Sequence, residues 1–301
     1  MLHGIVASLV TNFTHDGGLD TEGIRQNVDF LARAGIHGVC IAGGTGEALS
    51  LSEDEYREAV DAALRGADGR AFVVAGALWT DPRRIIGCCR YAQTAGAAAA
   101  MVIPPYFVRP SPRQIAAHFR QVAEAVDIPL ILFNTPGRAG LDMDAELIVE
   151  LARTCPNIVG VKEASGNMIK VSQIISQAGP TFSVLQGLDD LVFPTLALGG
   201  TGALVSLATP LPRVFVEMYE RFKAGDLVRA RELQFAVLPY ISTVYGETNP
   251  VGLKRLLDLL GRPGGPPRPP LHPISSENDA DLRAVVEPLR ALERALEPVA
   301  A

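Results

Sequence analysis

Apolar residues fall into eight short runs along the chain, with segments of helical spacing and helix-start signals between them. The runs are GIVASLV (Gly4 to Val10), HGVCIAG (His37 to Gly43), AFVVAGA (Ala71 to Ala77), AAMVIPP (Ala99 to Pro105), PLILFN (Pro129 to Asn134), IVGVKE (Ile158 to Glu163), SVLQG (Ser183 to Gly187) and GALVSL (Gly202 to Leu207). A surface strand alternates apolar and polar residues, whereas Ile158, Val159 and Val161 are continuous, as in a strand covered on both sides. Between the runs, DTEGIRQNVDFLARAG, LSEDEYREAVDAAL, DPRRIIGCCRYAQTAG, SPRQIAAHFRQVAEAV and DAELIVELART read as amphipathic helices. Ser52 with Glu55 forms a capping box, and Pro82 and Pro112 fall in first turns.

Strict alternation of strand and helix means parallel pairing, and eight such units close most naturally into a (β/α)8 TIM barrel of the α/β class. The rival is an open doubly wound sheet, which normally carries a glycine fingerprint after its first strand; ASLVTNFTHDGG has none. After Leu207 only helices are expected, over Pro212 to Ala224, Asp226 to Tyr240, Pro250 to Leu260 and Asn278 to Leu296. The expected organisation is therefore a barrel over residues 1–210 and a C-terminal helical region over 211–301 packed on it. The segment GRPGGPPRPPLHP, Gly261 to Pro273, is too rich in Pro and Gly to be regular and reads as a wrapping loop.

A chain of 301 residues, 48% hydrophobic and 20% charged, has the composition of an ordinary soluble enzyme. Its net charge of −6 argues against a nucleic-acid partner, which needs a basic face. No run of roughly 18 apolar residues occurs, and the N-terminus lacks a basic region followed by an apolar stretch, so a cytoplasmic protein with no membrane partner is expected. The spacing of Cys40, Cys88, Cys89 and Cys155 suits neither zinc nor a disulfide framework; all four read as reduced packing residues. The histidines are scattered and no cofactor motif appears, so neither a metal nor a cofactor is expected.

Against this background Lys162 stands out, because it ends the sixth apolar run, where lysines are seldom found. In a barrel of this kind, chemistry sits at the C-terminal ends of the strands. Alternation puts Ile158, Gly160 and Lys162 on one face, and the glycine is expected to leave room for a long side chain or a ligand. At its ordinary pKa only about one lysine in a few thousand is neutral at pH 7, and desolvation lowers that pKa by as much as roughly 3–5 units. A neutral amine can then condense with a ketone or aldehyde to form a Schiff base. The bland alternative is a lysine paired with a barrel carboxylate for structural reasons.

Other segments converge on the same rim. GGTGE, Gly43 to Glu47, can present backbone N–H groups to an anion beside the Thr45 hydroxyl. NTPGRAG, Asn134 to Gly140, forces a turn that places Arg138 for bidentate contact with a carboxylate, although a surface arginine there would also be unremarkable. PPYFVRPS, Pro104 to Ser111, brings Tyr106 and Phe107 to the rim.

With these residues placed, the chain resembles the dihydrodipicolinate synthase and N-acetylneuraminate lyase family of Schiff-base aldolases over essentially its whole length. The resemblance rests on GGTGEALSLSEDE, PPYFVRPS, LFNTPGRAG, VGVKEASGN and ETNPVGLK (Glu247 to Lys254), in the family's order and with similar spacing. It implies a homotetramer, a dimer of dimers, of (β/α)8 barrels whose lysine condenses with pyruvate or another 2-oxo acid. By position it makes Lys162 the Schiff-base lysine, puts Gly44 and Thr45 at the substrate carboxylate, and lines the pocket with Phe133, Gly187 and Val205. Arg138 matches the arginine that in the synthases binds the carboxylate of an aldehyde, aspartate semialdehyde, and the sialic-acid lyases lack it in this motif, which tilts the reading to the synthase-like branch.

Three departures qualify that reading. Phe133 replaces the family's proton-shuttling tyrosine, Phe107 replaces the tyrosine that reaches a neighbouring subunit's site, and Gly44 replaces a threonine. The expected activity is a class I, metal-independent lyase acting by aldol-type condensation or cleavage. Two alternatives stand beside it: a dehydratase or aldolase for a sugar-derived 2-oxo acid, and a catalytically degenerate paralogue that only binds a 2-oxo acid. Tyr106 is a candidate substitute acid, though the family places that position at the subunit interface.

Overall fold

The computed structural model describes residues 2–296; positions 297–301, at the end of the expected C-terminal helical region, lie outside the described residues. Among the described residues, eight strands form one closed, wholly parallel barrel: β1 Gly4–Ser8, β2 Gly38–Ile41, β3 Phe72–Ala77, β4 Ala99–Val102, β5 Leu130–Asn134, β6 Ile158–Glu163, β7 Ser183–Gln186 and β8 Gly202–Val205. β8 returns to β1 through pairs such as Gly4 with Gly202 and Val6 with Leu204. Nearly every strand residue is buried, which is why the runs are continuous rather than alternating: one face meets the barrel interior and the other meets helices.

The helices are α1 Thr21–Arg33, α2 Glu53–Ala67, α3 Pro82–Ala95, α4 Pro112–Glu124, the short α5 Pro136–Ala139, α6 Ala145–Thr154, α7 Met168–Gln177 and the short α8 Val192–Ala197. α9 Pro212–Lys223, α10 Leu227–Val244, α11 Val251–Leu259 and α12 Ser276–Arg294 follow the last strand. Their starts obey capping chemistry. Ser52 and Glu55 make the expected capping box on α2, Ser111 and Gln114 make another on α4, and Pro82 and Pro112 open α3 and α4. α9 packs against β1 and α8, so the first helix after β8 completes the ring around the barrel.

α7, α8 and α5 lie in segments where the polar–apolar pattern gave no helix. α7 begins at Asn167, whose side chain accepts from the Ile169 and Lys170 N–H groups, and its MIKVSQIISQ sequence is rich in β-branched residues. Such residues lose side-chain freedom in a helix, so packing on β7 decides the outcome.

The Pro/Gly-rich segment after α11 wraps the barrel mouth and is anchored at several points. Asn12 and Asn27 each donate to the Pro263 carbonyl at 2.7 Å. Arg268 donates to the carbonyls of Gly17 and Ser50, pairs with Glu55, and lies over the Phe13 ring. Beneath it, Lys254 of α11 forms a fully buried ion pair with Glu47 at 2.5 Å and donates to the Pro266 carbonyl. This clamp fixes the loop after β2 against the C-terminal helices.

Candidate active site

The C-terminal ends of β2, β5, β6, β7 and β8 surround a cavity of about 530 Å³, into which the segment after α10 also contributes. Lys162, the penultimate residue of β6, lies between Phe133 of β5 and Leu185 of β7 in register. Its side chain is only 6% exposed, and it makes no ion pair or hydrogen bond among the described residues. The amine lies over the Phe133 ring, 4.4 Å from its centre. Burial pushes its pKa down to about 8, and Arg138 adds to the fall; the Cys40 thiol and the Asp189 carboxylate oppose it. Phe133 thus walls the amine with an aromatic face and offers it no hydrogen-bond partner.

The glycine next to this side chain is a different one from that indicated by the sequence pattern. A Cβ on Gly160 would meet the Ser183 backbone at 2.7 Å, so that glycine lets β6 and β7 approach closely. Gly187 is the glycine beside the lysine: an added Cβ there would meet Ala164 Cβ at 2.7 Å and stand 3.1 Å from both the Glu163 carbonyl and Lys162 Cε. Alternation along one strand cannot reveal which neighbouring strand crowds a side chain.

Gly44, Thr45, Phe133, Arg138, Lys162 and Gly187 all line this one cavity. The N–H groups of Gly44 and Thr45 have no hydrogen-bond partner among the described residues, so two donors stand ready for an anion. Arg138 sits on α5, exposed, and donates to the Asn249 carbonyl at 3.3 Å. Val205 ends β8 with no exposed surface, and the cavity wall there is formed by the next residue, Ser206. Tyr106 lines a second, more apolar chamber of about 270 Å³ that shares Gly44, Phe133, Thr135 and Arg138 with the first. Its hydroxyl is engaged, donating to the Leu78 carbonyl at 3.2 Å. Phe107 is 93% exposed and lines neither chamber.

Asp189, Ser206 and Tyr245 are polar residues of the cavity wall that sequence reasoning missed, and Thr135, Glu247, Thr248 and Asn249 line it too. Asp189 is buried; its two carboxylate oxygens accept from the Leu207 N–H at 2.8 Å and from the Tyr245 hydroxyl at 2.6 Å. Burial raises its pKa to about 6 despite those two donors and the nearby Lys162. The Tyr245 hydroxyl is held well above the usual phenol range, first by burial and then by Asp189, while the nearby Ser206 works in the opposite direction. Ser206 Oγ lies 2.8 Å from Thr45 Oγ1, which accepts from Asn249 Nδ2 at 3.0 Å. The signals available in sequence were slight: Asp189 follows Gly187 in QGLDD, and Tyr245 stands two residues before ETNPVGLK. Neither has a spacing that ties it to Lys162.

Behind β6, Asn134 donates to Asp142 and to Glu163, both at 2.8 Å, and Glu163 accepts from the Ser165 N–H at 2.6 Å. These bonds hold the loops after β5 and β6 rigid around the lysine. No group of three or more His, Cys, Asp or Glu residues suited to a metal ion occurs among the described residues. The polar wall, the buried amine and the two free N–H groups suit a small anionic carbonyl compound.

A family model described as the Dihydrodipicolinate synthetase family matches residues 1–289. A 4-hydroxy-tetrahydrodipicolinate synthase of Methanothrix thermoacetophila is 42% identical over 287 residues, which span 95% of this chain and 96% of that protein. Among solved structures, a dihydrodipicolinate synthase from Aquifex aeolicus aligns with a TM-score of 0.93 at 32% identity, covering 96% of this chain and 98% of that one. YagE, a prophage protein of E. coli belonging to the dihydrodipicolinic acid synthase family and solved in complex with pyruvate, aligns with a TM-score of 0.91 at 32% identity, covering 96% and 99%.

Proposed function

Because the chain belongs to the dihydrodipicolinate synthetase family, we propose that it is a class I lyase in which Lys162 forms a Schiff base with pyruvate or a related 2-oxo acid. The adduct then undergoes aldol-type condensation with an aldehyde, or the reverse cleavage. One observation carries this reading: a lysine buried to 6% exposure, with no carboxylate partner among the described residues and a pKa pushed down to about 8, at the wall of a cavity. A lysine at its ordinary value would be almost wholly protonated at neutral pH, whereas about a tenth of this one is free amine. Gly44 and Thr45 N–H groups receive the 2-oxo acid's carboxylate, and Arg138 receives a carboxylate on the second substrate. We further propose a homotetramer in the cytoplasm. Exposed Leu49, Phe107 and Val108 support self-association, and four free, buried cysteines fit a reducing compartment.

A second reading, a dehydratase or aldolase for a longer, sugar-derived 2-oxo acid, is favoured by the chamber beside the site, where Phe133 opens toward Leu78 and Ile103. Incubation with pyruvate and borohydride should add the mass of a reduced pyruvate adduct on Lys162, and Lys162→Met should abolish it. No adduct with pyruvate or any of a panel of 2-oxo acids overturns the proposal. Robust cyclic product from pyruvate and aspartate semialdehyde removes the need for the second reading.

A further inference from the structure

Schiff-base chemistry on a buried lysine needs a group that moves protons, and the three positions compared above for that task carry Gly44, Phe107 and Phe133. Phe107 is exposed and Phe133 lies flat against the amine, so neither can serve. The opposite wall of the same cavity, however, carries an ordered series of polar groups. Asn249 donates to Thr45, the Thr45 and Ser206 hydroxyls share a hydrogen bond at 2.8 Å, Ser206 and Tyr245 line the same wall, and Tyr245 donates to Asp189. Asp189 is itself fixed by the Leu207 N–H, and its charge is felt by Lys162. Tyr245 packs against the core and also lines the same cavity as Lys162.

We propose that the Tyr245 hydroxyl is the acid–base group serving Lys162, with Asp189 as the proton reservoir behind it and Asn249, Thr45 and Ser206 as positioning residues. The inference rests on the Schiff-base reading above. Proton movements then balance. The Lys162 ammonium gives one proton through Tyr245 to Asp189, and the free amine attacks the 2-oxo carbon. In the adduct, one N–H proton moves to the former carbonyl oxygen. The proton held on Asp189 returns through Tyr245 to that hydroxyl, which leaves as water, and an iminium forms. Removal of a C3 proton by Tyr245, passed to Asp189, then gives the enamine. Its attack on the aldehyde returns that proton to the new alkoxide, and the relay is restored. A positioned acid–base group contributes roughly 10²–10⁴ in rate.

The experiment separates adduct formation from proton transfer. In D2O with pyruvate alone, the wild-type protein should exchange the pyruvate methyl protons for deuterium, followed by NMR. Tyr245→Phe should slow this exchange by about 100-fold, while the variant stays folded and prolonged incubation with borohydride still traps pyruvate on Lys162. Exchange within threefold of wild type in Tyr245→Phe overturns the relay alone. A wild-type protein with neither adduct nor exchange overturns the Schiff-base reading and the relay with it. Should Tyr245→Phe fail to fold, Ser206→Ala decides: exchange slowed about tenfold supports the relay, and exchange at the wild-type rate overturns it.

Discussion

At the residue scale, the lysine proposed to give the site its chemistry also weakens the fold. The folded pKa of Lys162 is about 8 against 10.5 for an ordinary lysine. Between those values the unfolded chain binds a proton that the folded chain does not, so stability rises with pH across that window. Below about pH 8 the full penalty applies, on the order of 3 kcal/mol. Lys162→Met should therefore unfold at a higher temperature than wild type at pH 6, and the difference should shrink as pH is raised toward 10; a difference that stays constant would contradict the assignment. Lys162 was legible because a charged residue interrupts an apolar strand at its functional end. Asp189, Ser206 and Tyr245 were not, because each is an ordinary loop or helix-end residue until folding brings it to the cavity.

At the element scale, the loop after β2 is held by a buried ion pair rather than by regular structure. Lys254 of α11 and Glu47 are both almost fully buried, and Lys254 also lies over the Phe13 ring. Removing one partner of such a pair costs about 3–5 kcal/mol, because the other charge is left uncompensated, whereas removing both costs less. Lys254→Met should lower stability by that amount in urea unfolding, and combining it with Glu47→Gln should recover part of the loss. The same clamp holds Thr45 beside Ser206, so the single variant should also weaken binding of a 2-oxo acid. ETNPVGLK was visible as a motif, but its last residue's partner, 207 positions earlier in the loop GGTGE, was visible only in three dimensions.

At the scale of the whole molecule, the proposed tetramer accounts for features that a lone barrel does not. Phe107 is 93% exposed, Val108 67% and Leu49 60%, all near the mouth of the cavity. Phe107 and Arg109 also adopt positive φ, of 73° and 47°, a conformation that costs about 1–2 kcal/mol for a non-glycine residue and persists where surroundings dictate it. A neighbouring subunit packed over this loop would supply both the cover and the constraint. Replacing Phe107 and Val108 together by glutamate should shift the protein to smaller species in sedimentation velocity. An unchanged sedimentation coefficient would place any interface elsewhere.

The sequence alone determined the barrel, because continuous apolar runs separated by capped amphipathic segments are local patterns that admit few ways of burying their faces. It also pointed to the strand end that carries the buried amine proposed to react, since only the position of Lys162 within its own run was needed. The tertiary structure decided what surrounds that amine. Barrel closure brings Thr45, Asp189, Ser206, Tyr245 and Asn249 to one wall, and Gly187 rather than Gly160 is the glycine beside the lysine. Contacts between residues some 200 positions apart are fixed by strand register and helix docking, which no local periodicity records.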